Sequence, residues 1–236
     1  MNINYKRLRL EGASNVRDIG GYLACSGVTN WRTFLRGEGL ERVTDLDAAF
    51  LYKYGVRTVI DLRTHSEFEK NNTEYLINTF ASNRITHRNI PFFDDYNDIT
   101  RHFYIHMVEN GAKNIKQLFE YIGERLAYGG ILYNCFMGKD RTGVLSALLL
   151  LLCGVSELDV LADYMVSSVY LKSLAEMLGL SDEFISSKPE FMEEFLIYFK
   201  QNYINTEQYL LSIGVSQETI SVIKEKFICR ELGLFM

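Results

Sequence analysis

The chain has 236 residues, 47% of them hydrophobic and 23% charged, with only two prolines. That is the composition of one large globular domain or two small ones, not of a disordered or collagen-like chain. The net charge of −5 argues against a whole-protein footprint for nucleic acid, although residues 1–63 carry a net +3 and residues 64–236 a net −8.

Cys25, Cys135, Cys153 and Cys229 form no C-x-x-C pair. Neither a zinc site nor a disulfide scaffold is expected, and a reducing compartment fits. The N-terminal stretch MNINYKRLRLEG lacks the apolar core of a signal peptide. The longest apolar run, 144–153, is too short for a bilayer, which takes about 20 residues. The expectation is a cytoplasmic protein with no integral membrane segment.

In chain order, residues 7–36 are rich in Gly and β-formers and predict short strands with turns. Thr44 and Gly55 bracket an apolar-periodic run, which predicts a capped helix. Residues 56–62 form a short apolar run suited to a buried parallel strand. Thr64 and Glu67 fit a capping box for a short helix. Residues 85–92 predict another strand, 99–110 and 112–128 predict helices, and 131–134 a short buried strand. Beyond it the patterning is helical over 142–153, 156–167, 170–178, 189–203, 206–213 and 217–228, with Pro189 suited to a first turn. The alternation predicts an α/β fold, a small mostly parallel sheet flanked by helices, with a helical C-terminal third. One domain over 1–236 is expected, residues 169–236 forming a helical extension or lid.

The segment richest in chemistry is ILYNCFMGKDRTGV, residues 131–144. A strand, a tight loop and a helix N-terminus gather backbone N–H groups around an anion. A cysteine at such a nest, here Cys135, is stabilised as its thiolate. Six residues on, the planar fork of Arg141 suits two phosphate oxygens. C-x5-R alone is weak, since chance supplies about a quarter of a match. Gly138, Lys139, Asp140, Thr142 and Gly143 in register between strand and helix make chance negligible.

Residues 134–143, NCFMGKDRTG, resemble the phosphate-binding loop of cysteine-dependent protein tyrosine and dual-specificity phosphatases. The form G-K-D-R-T-G is similar to a bacterial and fungal branch that includes lipid phosphatases. GASNVRDIGGY (12–22), TFLRGEGL (33–40), GVRTVIDLRTHSE (55–67) and the segment 154–168 resemble further signatures of that branch. The resemblance implies hydrolysis of phosphomonoesters, on phosphotyrosine in a protein or on a phosphoinositide, releasing phosphate ion. It implies Cys135 as nucleophile through a phosphocysteine, with no cofactor. It also implies Arg141 as phosphate ligand, with Phe136, Met137, Gly138, Lys139 and Thr142 around the phosphate. Thr142 would hydrogen-bond the Cys135 sulfur, and Lys139 would add charge at the rim.

In one respect the chain departs from the branch: the usual His before the nucleophile is Asn134. Asn hydrogen-bonds but carries no charge, so a weakly catalytic phosphate-binding module is the rival reading. The general acid has three sources: Asp140 of the loop itself, Asp94, Asp95 or Asp98 on a separate loop, or Asp61 at a strand end. Arg17 either pairs with Asp18 at a turn or serves the phosphate site, facing the phosphate or standing behind its direct ligands. His102 and His106 lack a third ligand, so no metal site is expected. Aromatic residues within 92–104 are candidates to line an aryl slot.

Overall fold

The computed structural model describes residues 3–70, 73–93 and 102–229. The Gly-rich start supplies four short strands, β1 (Arg17–Asp18), β2 (Leu23–Ala24), β3 (Gly27–Thr29) and β4 (Phe34–Gly37). Helix α1 (Asp45–Tyr54) opens on a capping box between Thr44 and Asp47 and stops at Gly55, whose φ of 125° favours glycine. Strand β5 (Val56–Asp61) follows, then α2 (His65–Glu69), which opens on the Thr64–Glu67 capping box. Next come α3 (Thr73–Ser82), β6 (Thr86–Asn89), α4 (Phe103–Asn110), α5 (Ala112–Arg125) and β7 (Gly130–Asn134). The rest is α6 (Arg141–Leu152), α7 (Glu157–Tyr170), α8 (Lys172–Leu178), α9 (Asp182–Ile185), α10 (Pro189–Asn202), α11 (Thr206–Ser212), α12 (Gln217–Phe227) and β8 (Ile228–Cys229).

The main sheet runs β1-β4-β7-β5-β6. Strands β4, β7, β5 and β6 are parallel, and β1 is an antiparallel edge. Side chains alternate across it with period two. Leu35, Val59 and Leu132 pack toward α1 and α3, against Ala48, Leu51, Leu76 and Phe80. Phe34, Ile60, Ile131 and Tyr133 pack toward the other face, against α5 and α6. Helix α6 is buried all round apart from Leu151, as expected for a helix apolar on every face. Its leucines share one buried cluster with Met192, Phe195 and Phe199 of α10, Tyr209 of α11 and Ile223 of α12. Most of the C-terminal third is therefore an outer layer of this core. A smaller cluster joins Leu171, Leu174, Ala175 and Ile185 to Met137 of the 135–140 loop.

Four local features differ from the sequence expectation. Helix α3 was not foreseen, because its buried face amounts to Leu76, Thr79 and Phe80. The 85–92 strand shortens to β6, although Ile90 and Phe92 still donate to the carbonyls of Asp61 and Leu62. The expected 170–178 helix begins two residues late, since Tyr170 still belongs to α7. The C-terminal end of α12 runs into β8, which joins β2 and β3 in a second small sheet.

Candidate active site

Strand β7 lies between β4 and β5, so residues 135–140 leave the middle of the sheet at its carboxyl end. Gly37 and Asp61, the last residues of the flanking strands, are in register with Asn134. The loop sits directly on the β4 exit. Gly138 has φ of 68°, and a Cβ there would lie 2.4 Å from the Gly37 carbonyl, so only glycine fits.

Three loop carbonyls are held from below. Gly39 N–H donates to Phe136 O at 2.9 Å. Asn15 Nδ2 donates to Met137 O at 3.1 Å, and Arg36 Nη2 to Gly138 O at 2.9 Å. In a trans peptide the N–H opposes the C=O, so the amides of Met137, Gly138 and Lys139 face away from this floor. The donors are themselves fixed. Arg17 Nη1 donates to Asn15 Oδ1 at 2.6 Å, and Arg17 Nε and Arg36 Nη1 meet the two oxygens of Asp163 at 3.1 and 2.5 Å. All four side chains are buried. Burial alone would raise the Asp163 carboxyl, but the two guanidiniums outweigh it and hold the group well below the usual carboxylate range. Glu38 accepts the N–H groups of Ser14 and Asn15.

Arg17 therefore does not pair with Asp18. Neighbours on a strand point to opposite faces, and Asp18 instead accepts from the N–H groups of Gly20 and Arg32 and from the Tyr54 hydroxyl. Arg17 supports the loop from behind.

Above the loop lies a cavity of about 530 Å³. Cys135, only 2% exposed, lines it together with Arg141, Asp140 and Lys139. Both terminal nitrogens of Arg141 donate to Glu67, at 2.6 and 3.0 Å. Glu67 is the third residue of α2 and closes its capping box, so one carboxylate caps a helix and holds the guanidinium. Burial pushes Glu67 up, yet the hydrogen bonds and charge of Arg141 leave it below its ordinary value. Asp140 Oδ1 accepts from the Tyr104 hydroxyl at 2.6 Å and from Lys139 Nζ at 2.9 Å. Phe136, 44% exposed, stands at the rim. The far wall comes from α9 and the start of α10 and includes Phe184, Lys188 and Phe191.

Two of the other candidates lie beneath the loop. Asp61 is buried and tied to Arg63 Nη2 at 2.6 Å, and it does not line the cavity. Asn134 Nδ2 reaches Asp61 Oδ2 at 3.3 Å, and Asn134 Oδ1 has no partner among the described residues. Thr142 Oγ1 is likewise buried without a hydrogen-bond partner, so the expected bond to the Cys135 sulfur is not formed in this structure. Asp94, Asp95 and Asp98 lie outside the described residues. His102 meets Glu194, His106 meets Asn110, and no cluster of metal-ligating side chains occurs among the described residues.

The family model for the tyrosine phosphatase family matches residues 8–229. The chain belongs to the tyrosine phosphatase family. It is 28% identical over 215 residues to a tyrosine-protein phosphatase of Nostoc commune, covering 81% of this chain and 72% of that protein. Solved structures similar to it include P. aeruginosa TpbA in complex with pTyr, at 12% identity over 68% of this chain and 87% of that chain, with a TM-score of 0.37. Kinase associated phosphatase is similar at 14% identity over 78% and 95% of the two chains, with a TM-score of 0.40. The chain is thus a phosphatase, a hydrolase of phosphomonoesters.

Several residues of this phosphatase site escaped the sequence reading. Glu67 was visible only as a helix cap, although GVRTVIDLRTHSE ends on it. Asn15 and Arg36 sat inside recognised segments without an assigned role. Asp163 likewise lay inside the recognised 154–168 segment without an assigned role. Phe184, Lys188 and Phe191 carried no local signal, because only the packing of α9 and α10 brings them to the loop. Of the aromatic candidates, Phe103 and Tyr104 line the cavity, while Phe92 is in the core.

Proposed function

We propose that the enzyme hydrolyses phosphotyrosine in proteins through a phosphocysteine on Cys135. The carrying observation is Cys135 at the base of a cavity, between backbone amides turned away from the floor and an Arg141 braced by Glu67. The sulfur attacks phosphorus, the P–O bond to the leaving group breaks, and Asp140 supplies the proton that the leaving oxygen takes up. Water then attacks phosphorus, the S–P bond breaks, and Asp140 takes the water's proton, releasing phosphate. The amides and Arg141 stabilise the charge on the transferring phosphoryl oxygens. Thr142 Oγ1, buried and unpartnered, is the donor available to the sulfur as it leaves. The reading of residues 1–236 as one domain is supported by the cluster that runs from α6 into α12. The unpaired thiols of Cys25, Cys135 and Cys153 support a reducing, cytoplasmic setting, and among the described residues no helix is long and apolar enough to cross a membrane.

The aromatic wall of Phe103, Phe136, Phe184 and Phe191 favours an aryl phosphate. A phosphoinositide is the second reading, supported by Lys139 and Lys188 on the same cavity. Hydrolysis of p-nitrophenyl phosphate should survive EDTA, yield to vanadate and vanish in Cys135→Ser, which should still bind phosphate. Turnover retained in that variant overturns the mechanism. Phosphate binding without turnover in the wild type would make the Asn134 loop a binding module. A phosphotyrosine peptide and an inositol lipid assayed side by side separate the two substrates.

A further inference from the structure

Asp140 is the N-cap residue of α6, yet its side chain makes no capping bond. The carboxylate faces α4 instead. Its Oδ1 takes both the Tyr104 hydroxyl at 2.6 Å and Lys139 Nζ at 2.9 Å. The Tyr104 oxygen lies 2.8 Å from the Tyr164 hydroxyl of α7. Tyr104 is 3% exposed and Tyr164 1%. A carboxylate only accepts, so Tyr104 donates to Asp140 and Tyr164 donates to Tyr104. The two rings meet edge to face at 5.9 Å, and Phe191 packs on Tyr104 at 6.2 Å. Gly143 opens the space for this arrangement, since a Cβ there would lie 3.2 Å from Tyr164 Cδ2.

We infer that Tyr104, backed by Tyr164, is a positioning residue for the Asp140 proton transfer. The inference rests on Asp140 as the acid of the proposed mechanism. Two donors saturate Oδ1, so the transferable proton sits on Oδ2. The chain of hydroxyls fixes which oxygen carries it and where that oxygen points. The acid is thereby anchored to buried side chains of two helices.

Leaving groups differ in how much they need a proton. Phenyl phosphate needs it more than p-nitrophenyl phosphate, so loss of a positioned acid is read as a difference between them. Tyr104→Phe keeps the ring and deletes the hydroxyl. Its kcat/KM should fall about tenfold on phenyl phosphate and about twofold on p-nitrophenyl phosphate. A lost donor to a carboxylate favours its protonated form, so the alkaline limb of the pH profile should move to higher pH. Tyr164→Phe, one bond further away, should show the same signature more weakly. In an Asp140→Asn background, Tyr104→Phe should cost nothing more. Equal loss on both substrates, an unmoved alkaline limb, or full additivity with Asp140→Asn overturns the inference about Tyr104. If Asp140→Asn itself shows no leaving-group dependence, the acid assignment falls and takes the inference with it. Thermal unfolding of each variant separates these results from misfolding, because a variant that is merely destabilised loses rate equally on both substrates.

Discussion

Beneath the loop, Asn15, Arg17, Arg36 and Asp163 are buried and bonded to one another or to loop carbonyls. Above it, Phe136 and Phe184 are 44% and 48% exposed, and Lys188 pairs with the exposed Glu183. Below, each group removed strands a partner in low dielectric, where an unpaired charge is costly. Above, a side chain can change while solvent absorbs the difference. The structure thus sets a buried, tightly bonded floor under an exposed wall.

The sharpest way to break this contrast is Asp163→Ala. It leaves Arg17 and Arg36 facing each other without their carboxylate, so stability should fall by about 3–5 kcal/mol in urea denaturation, a large share of the roughly 5–15 kcal/mol typical of a domain. A loss below about 1 kcal/mol would show that the floor is not the rigid half. Arg141→Lys keeps the charge and loses the planar fork. Its kcat/KM on p-nitrophenyl phosphate should drop about 10²–10³-fold, the range seen when one oriented donor to a developing oxyanion is lost. On the wall, Phe184→Ala should leave stability within about 0.5 kcal/mol and raise KM for aryl phosphates a few-fold with little change in kcat. A destabilisation near that of Asp163→Ala would erase the distinction.

Two further effects are read through pH. Glu67 has its folded-state value depressed, so its pair with Arg141 stabilises the fold above the unfolded carboxylate value of 4.5 and is lost as pH falls through the lower folded value. Partial exposure screens the pair, so its share stays below about 1 kcal/mol. Glu67→Gln should flatten that part of the acid stability curve. His87 titrates in a different window. Burial lowers it to about 4 from 6.5, and its ring lies between Phe68 and Phe80. The unfolded chain takes up that proton first, so stability should decline as pH drops from 6.5 toward 4. A flat wild-type curve across that window would remove His87 from the account.

What was legible from residues alone was whatever short-range physics dictates. The continuous apolar run 56–62 marked a strand buried on both faces. Thr44 marked a helix start as a cap, Thr64 did so through its capping box with Glu67, and 131–144 declared a strand, nest and helix by spacing. The Arg17–Asp18 alternative failed because adjacency in sequence is not adjacency on a strand. The rest needed the folded chain. Arg17 meets Asp163 across 146 positions, Arg36 meets it across 127, and Arg141 meets Glu67 across 74. Local propensity and periodicity act over a few residues, whereas a buried charge takes whichever partner the packing of distant helices and strands delivers. The chain by itself determined the loop and its flanking elements. Tertiary structure decided which carboxylate holds Arg141, which hydroxyl holds Asp140 and which aromatic residues wall the cavity.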